Sequence, residues 1–513
     1  MELILEQFAS LSLLNQFWIT LFLIIPMVLI ARTVVAGTRY SPILIIVIFG
    51  LAMGYLFVQT GIAEPGIATY PMVNMVASST IIALVVSFFV GGQELRKMLA
   101  KKSLTNREMV TPSADEAVLG TTRTQMFMII RSFFLLIGIE SASRVFIGTS
   151  TSALHDVYPL IAYIGIIGSI IIIDNKATIT NKPLYIRKGI VEIAAIIFIL
   201  YLSYQIAEVI EPVIALPQIF FAMVISAAAG AILYRWSFGP TIKALLFAGI
   251  PVVLAGNFMV GGSRIGEAFT IEGMNSVLAY GFFGQLFFMF AGVALMMFFG
   301  KTNHVRNLAP GMAGSLSHSG LTGACTAGDL GEQAASRAPI MINIPFFGHI
   351  FVFSILAVSV NRDALWLWPA LIVVGTGIIL TTLAMLQMRK AEGVESQEIK
   401  ALMLFSFGWQ LVAVFGGLLL LSLSSIPFNY SGMAQASAIS HFGLFAAIQE
   451  GMFGAEAASM IPFIFSMPFL VHPVVFFMFG KAMKDGGTMS TKIVYTISLI
   501  GLIGIIASLF IAV

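Results

Sequence analysis

Charge is scarce in this chain. Asp, Glu, Lys and Arg make up 10% of its 513 residues and apolar residues 58%, whereas a soluble domain carries roughly one-quarter charged residues. Such a composition needs lipid as its solvent. The 27 Lys+Arg against 24 Asp+Glu leave a net charge of only +3, so no basic or acidic field argues for nucleic acid or another polyanion as partner. Cysteine is rarer still: the lone Cys325 excludes an internal disulfide framework and a cysteine-based metal cluster. Also missing are a Gly-Lys-Ser/Thr phosphate-binding loop, a metal-spaced histidine cluster and a nucleophile with a base nearby in sequence. ATP-driven transport by this chain alone is therefore disfavoured, and neither an enzyme activity nor an organic cofactor is expected. Glu2 and Glu6 precede any Lys or Arg, so the first apolar run is expected to stay as a membrane span rather than leave as a signal peptide.

What the chain has in abundance is apolar runs of the length a bilayer core demands, about 20 residues per helix. They lie near 17–36, 42–60, 75–97, 124–148, 157–173, 188–211, 216–236, 240–262, 273–300, 338–360, 365–388, 401–424, 457–480 and 488–512. The reading is an all-α polytopic membrane protein with about fourteen transmembrane helices. If the loops near 31–42, 96–123, 174–188, 235–243, 300–306, 389–400 and 481–492 are cytoplasmic, they hold 22 of the 27 Lys+Arg, as the positive-inside rule asks. That alternation puts both termini outside. It works only if two further segments, 309–335 and 432–455, do not cross the membrane.

Those two segments are rich in Gly, Ala and Ser, and they are copies of one another. Residues 317–353 and 440–476 align without gaps with 16 identities in 37 positions, where composition alone would give roughly three or four. The shared frame is S-H-x-G-L-x-x-A-x-x-x-G-x-x-G-x-x-A-A-S-x-x-P, followed by P-F-x-x-H-x-x-V-F. The preceding spans match too: Phe282, Gln285, Leu286, Phe290 and Gly292 recur as Phe407, Gln410, Leu411, Phe415 and Gly417. Three regions follow: a membrane scaffold over 1–270, repeat unit A over 271–390 with its broken segment 309–335, and repeat unit B over 391–513 with its broken segment 432–455. Three spans separate the two small-residue segments, so if each is re-entrant the repeats are inverted. If each spans fully, they are parallel. In inverted repeats irregular backbone is tolerated at membrane depth because it lines an enclosed cavity.

The stretch from 186 to 350 resembles the second half of the sodium/glutamate symporter family. The resemblance runs through VEIAAIIFILYLSYQIAEVIEPVIALPQIFFAMVISAAAGAIL, GQLFFMFAGVALMMFFGK and SHSGLTGACTAGD. The opening, SPILIIVIFGLAMGYL then ALVVSFFVGGQELRK, is similar to the first helices of that family and of cation–proton antiporters. The middle departs: AYIGIIGSIIIIDNKATI stands where the family has a Gly-Gly-His-Gly-Thr hairpin, a role the copy at 432–455 is placed to take over. What the resemblance implies is sodium-coupled transport of glutamate or a related solute.

Several residues carry candidate chemistry. Gly320, Gly323 and Gly443 let backbone approach a ligand or another helix. His318 and His441 recur at one repeat position, as do His349 and His472. The first pair reads either as lining a site or as structural hydrogen-bonding, with haem ligation as the redox alternative; the second pair reads as buried structural imidazoles. Asp329 and Glu450 are acids at membrane depth that the other copy lacks, and there a charge demands a partner or a function. They are candidate sodium ligands together with Ser317, Thr322, Thr326 and Ser440, whose oxygens suit a hard cation. Arg337, replaced by Met460 in the second copy, pairs either with a substrate carboxylate or in a salt bridge. Glu140 and Arg144 lie one helical turn apart and should neutralise each other.

The sequence thus points to an ion-coupled secondary transporter of a small organic anion or amino acid, with sodium favoured over protons as the coupling ion. A homodimer in a bacterial inner membrane is expected. Two rivals stay open, a membrane redox or proton-translocating subunit using the paired histidines, and a channel.

Overall fold

The computed structural model describes residues 13–35, 42–67, 71–99, 122–148, 157–172, 182–210, 213, 216–326, 329–391 and 393–510. Every named element among these residues is a helix. Ten helices are long and apolar enough to cross a membrane, which makes this a membrane-embedded, all-helical protein. Four of the fourteen apolar runs form shorter helices of 10–17 residues, namely Ile43–Gln59, Tyr158–Ile171, Gln218–Ile232 and Gly348–Val360. Most of the loop at 98–123 and the end of the stretch AYIGIIGSIIIIDNKATI lie outside the described residues.

The N-terminal half comprises α1 (Leu13–Val35), α2 (Ile43–Gln59), α3 (Pro71–Ser78), α4 (Thr80–Leu99), α5 (Thr122–Ile147), α6 (Tyr158–Ile171), α7 (Lys182–Ile210), α8 (Gln218–Ile232) and α9 (Pro240–Ser263). With no aqueous phase to drive apolar faces together, these helices associate by close backbone approach at small residues. Gly92 of α4 and Gly230 of α8 form such a contact reciprocally. A Cβ on Gly92 would fall on the Ala227 carbonyl, and one on Gly230 on that of Phe89. Gly92→Leu or Gly230→Leu should force the pair apart and cost about 1–3 kcal/mol, read as a lower thermal midpoint of the detergent-solubilised protein. Gly375→Leu, where a Cβ meets open space, should leave that midpoint unchanged. In the same half Glu140 and Arg144 are paired at 2.8 Å, as their spacing requires.

The C-terminal half comprises α10 (Met274–Phe298), α11 (Val305–Ser315), α12 (Ser319–Thr326), α13 (Glu332–Asn343), α14 (Phe346–Val360), α15 (Leu367–Ala391), α16 (Glu395–Leu421), α17 (Phe428–Ala438), α18 (Phe442–Gln449), α19 (Ala455–Ile464), α20 (Met467–Lys484) and α21 (Thr491–Phe510). Both small-residue segments break into two short helices at the same repeat position, α11/α12 around Ser317 and α17/α18 around Ser440. Both serines adopt left-handed backbone, with φ of 52° and 50°. That region costs a residue with a Cβ about 1–2 kcal/mol, and in each copy it ends one short helix so that the next can start in a new direction.

Each break reverses the chain. In the first copy, Arg337 midway along α13 donates to Asn307 near the start of α11. Further along both helices, a Cβ on Gly314 would strike the backbone of Met341. Helices α11 and α13 therefore run in the same direction, and α12 is the return stroke between them. The second copy repeats this pattern: Tyr430 OH donates to Glu456 Oε1 at 2.6 Å, and Ser437 Oγ to the Ile464 carbonyl at 2.8 Å. Gly314/Met341 and Ser437/Ile464 are equivalent pairs in the repeat alignment.

Candidate functional site

The two breaks meet. His318 and His441 form an isolated antiparallel backbone bridge, so the crossing joins equivalent residues of the two copies. Each imidazole first satisfies its own chain. The Leu321 N–H donates to His318 Nδ1 at 3.0 Å and the Leu444 N–H to His441 Nδ1 at 2.9 Å, so a histidine caps the return helix of each hairpin. A neutral ring that accepts at Nδ1 carries its proton on Nε2. His318 Nε2 lies 3.1 Å from His472 Nε2, and His441 Nε2 lies 3.0 Å from His349 Nε2. The pairing is exchanged: the histidine at each break meets the P-F-x-x-H histidine of the other copy.

The repeated glycine two residues after each of these histidines makes room for this exchange. A Cβ on Gly320 would lie 2.5 Å from His472 Cε1, and one on Gly443 would lie 3.2 Å from His349 Nε2. A glutamine from the preceding span completes one side. The carboxamide end of Gln410 lies 2.9 Å from His441 Nε2 and 3.4 Å from Ser317 Oγ, tying both breaks to α16. Because His441 Nε2 carries the proton, the amide oxygen is the end that accepts there. On the other side, Tyr280 OH of α10 donates to the Gly417 carbonyl at 3.1 Å and to Gln435 Oε1 at 3.0 Å, which fixes α17 against α10 and α16.

Buried polar atoms of the broken segments and of the helices packed on them also lack partners. Ser440 Oγ, both amide atoms of Gln285 and His472 Nδ1 are buried and make no hydrogen bond. An unsatisfied buried polar group costs about 1–3 kcal/mol, so each of these atoms calls for a partner that the neighbouring side chains do not supply. The formally charged side chains buried elsewhere have interactions of their own. Glu94 pairs with Lys97, Glu140 with Arg144 and Arg337 with Glu398. Glu192 accepts from the Gly239, Thr241 and Ile242 N–H groups at the start of α9 and exerts electrostatic attraction on Arg131.

Of the residues singled out in the sequence, the structure brings together Ser317, His318, Gly320, Ser440, His441 and Gly443. Thr322 and Gly323 follow on α12, and the Thr326 side chain lies outside the described residues. Asp329 and Glu450 do not share the crossing; they sit at the far ends of their hairpins, because α12 and α18 each carry the chain roughly 12 Å away from it at 1.5 Å per residue. Asp329 lies within electrostatic range of Arg32 on α1, whose guanidinium donates to the Phe247 carbonyl. The Glu450 carboxylate accepts from the Ile219 N–H at the start of α8, 3.2 Å away. Each copy-specific acid thus faces the N-terminal half rather than a shared cavity. Arg337 pairs with Glu398 at 3.0 Å and Glu395 at 3.6 Å. The segment 389–400, one of the expected cytoplasmic loops, buries Glu398 for this purpose. Cys325 is buried as well.

His349 and His472 are buried, hydrogen-bonded imidazoles, as read from sequence; the sequence reading does not bring them, Gln285 or Gln410 to the two breaks. Their recurrence at equivalent positions was the available signal. Among the described residues no group of three or more His, Cys, Asp and Glu side chains is placed to hold a metal ion. No family model, no curated protein and no solved structure matches the chain.

Proposed function

We propose that this chain is an ion-coupled secondary transporter of a small organic anion or amino acid. The single observation that carries the reading is the crossing of two duplicated helix breaks at Ser317–His318 and Ser440–His441, with unpaired buried polar atoms on the broken segments and the helices packed on them. In this reading about fourteen helices cross the membrane, and α11/α12 and α17/α18 are re-entrant hairpins. An odd number of crossings, by α13 with α14, by α15 and by α16, separates them, so the hairpins enter from opposite faces and their tips meet at mid-depth. That is an inverted repeat, the arrangement in which one site opens alternately to either side.

Sodium is the coupling ion of this proposal, with the Thr322 hydroxyl as a hard oxygen donor; Ser317 Oγ is already engaged by Gln410 and is not among the donors. Asp329 and Glu450 act as latches between the hairpin ends and the N-terminal half. The resemblance to sodium/glutamate symporters, a homodimer and a bacterial inner membrane belong to the same reading. Haem ligation by the paired histidines is the poorer alternative, because the four Nε2 atoms face one another within hydrogen-bonding distance and an iron would have to break both pairs.

Counterflow into proteoliposomes tests this. A panel of carboxylates and amino acids, with and without a sodium gradient, should reveal saturable uptake that the gradient drives. Equal drive by a pH gradient without sodium would replace the ion, and non-saturable flux would turn the reading into a channel.

A further inference from the structure

The two halves of the crossing are built from the same residues but are not in the same state. In one, the Gln410 amide closes onto Ser317 Oγ, 3.4 Å away. In the other, the equivalents are Gln285 and Ser440, and neither has a hydrogen-bond partner although both are fully buried. Gln285 follows directly on Gly284, whose Cβ position is occupied by Ala438 at the end of α17, so α10 delivers it to the segment that contains Ser440. We infer that the Gln285–Ser440 half is the substrate half-site, and that it takes the head group of a zwitterionic α-amino acid rather than a dicarboxylate. This inference rests on the transporter reading above and names its substrate class.

Its chemistry follows from what is offered. A carboxamide presents two N–H donors on one side and a carbonyl acceptor on the other, and a hydroxyl can do either. An α-carboxylate takes the amide N–H and the Ser440 hydroxyl, while an α-ammonium donates to the amide carbonyl. The backbone offers the same two signs. Ser440 lies between the C-terminal end of α17, which carries partial negative charge, and the N-terminal end of α18, which carries partial positive charge. A net-neutral head with both charges matches this pair of helix ends. Arg337, the buried arginine of this half among the described residues, is held by Glu398 and Glu395, so it is not on offer to balance a second carboxylate.

The left-handed φ of Ser440 supplies a clean test. Ser440→Gly removes the hydroxyl while placing at φ 50° the residue that tolerates it best, so folding is preserved. Ser317→Gly makes the same change in the closed half. Binding of L-alanine and of succinate to the purified full-length chain in nanodiscs is measured by calorimetry for wild type, both glycine variants and Gln285→Leu. L-alanine should bind at least about tenfold more tightly than succinate. Loss of one hydrogen bond to a charged group should weaken L-alanine by about tenfold or more in Ser440→Gly and Gln285→Leu, and by less than about threefold in Ser317→Gly. Wild-type affinity in the folded Ser440→Gly protein, or succinate binding as tightly as L-alanine, overturns the half-site. If carboxylates still show saturable counterflow in that case, the transporter reading survives without it. Absence of saturable binding and flux for every solute sinks the transporter reading itself.

Discussion

Arg337→Met is expected to destabilise the protein by about 3–5 kcal/mol, although methionine is what the second copy carries at that position. The Arg337 side chain is 2% exposed and faces Glu398, 8% exposed, at 3.0 Å, with Glu395 at 3.6 Å. Removing it strands the Glu398 carboxylate in a desolvated position. The lower end of the range applies because Arg306 still reaches Glu398 at 3.2 Å. Glu398→Gln in the Arg337→Met background should recover most of the loss, since the buried carboxylate is then gone and Arg306, which loses its partner, is part-exposed to solvent. Thermal unfolding of the three proteins in one detergent checks this, and in every variant that folds the affinity for substrate should equal that of wild type. A large fall in affinity with unchanged stability would return Arg337 to the substrate, the role its lack of a counterpart in the second copy allowed.

The second large effect concerns the crossing itself. His441→Ala removes the cap on Leu444 N–H, the 3.0 Å contact with His349 and the 2.9 Å contact with Gln410. Transport should fall about a hundredfold, equivalent to some 2.7 kcal/mol. His441→Asn separates the causes, because asparagine is a good N-cap yet too short to reach His349. It should restore the cap's share of stability, about 1 kcal/mol, without restoring transport. Recovery of transport by asparagine would reduce the histidine to a capping residue.

Much of this was legible in the sequence because it depends on hydropathy and on duplication. Apolar runs of bilayer length mark the helices, and the S-H-x-G frame marks the segments in which both breaks fall. What the sequence could not tell is how the copies face each other. Alignment makes His318 equivalent to His441, but contact between His318 and His472 requires the two copies to interlock, which no local pattern encodes. The same limit misplaced the acids. Asp329 and Glu450 stood out as charges at membrane depth, yet the reversal at each serine carries them to the hairpin ends, towards Arg32 and Ile219. Glu398 was hidden for the opposite reason: in RKAEGVESQEIK it looks like one more charge in a wet loop, and only the parallel run of α11 and α13 brings Arg337 to it.

Sidedness of the hairpin ends tests the central claim most directly. Glu332 and Ala455 are the first residues of α13 and α19, occupy equivalent repeat positions and are both exposed. Glu332→Cys and Ala455→Cys, each in a Cys325→Ser background, are treated with a membrane-impermeant maleimide in right-side-out and inside-out vesicles. Inverted hairpins meeting at His318 and His441 predict that Glu332→Cys is labelled only from the cytoplasmic face and Ala455→Cys only from the opposite face. Labelling of both from one face would contradict the account.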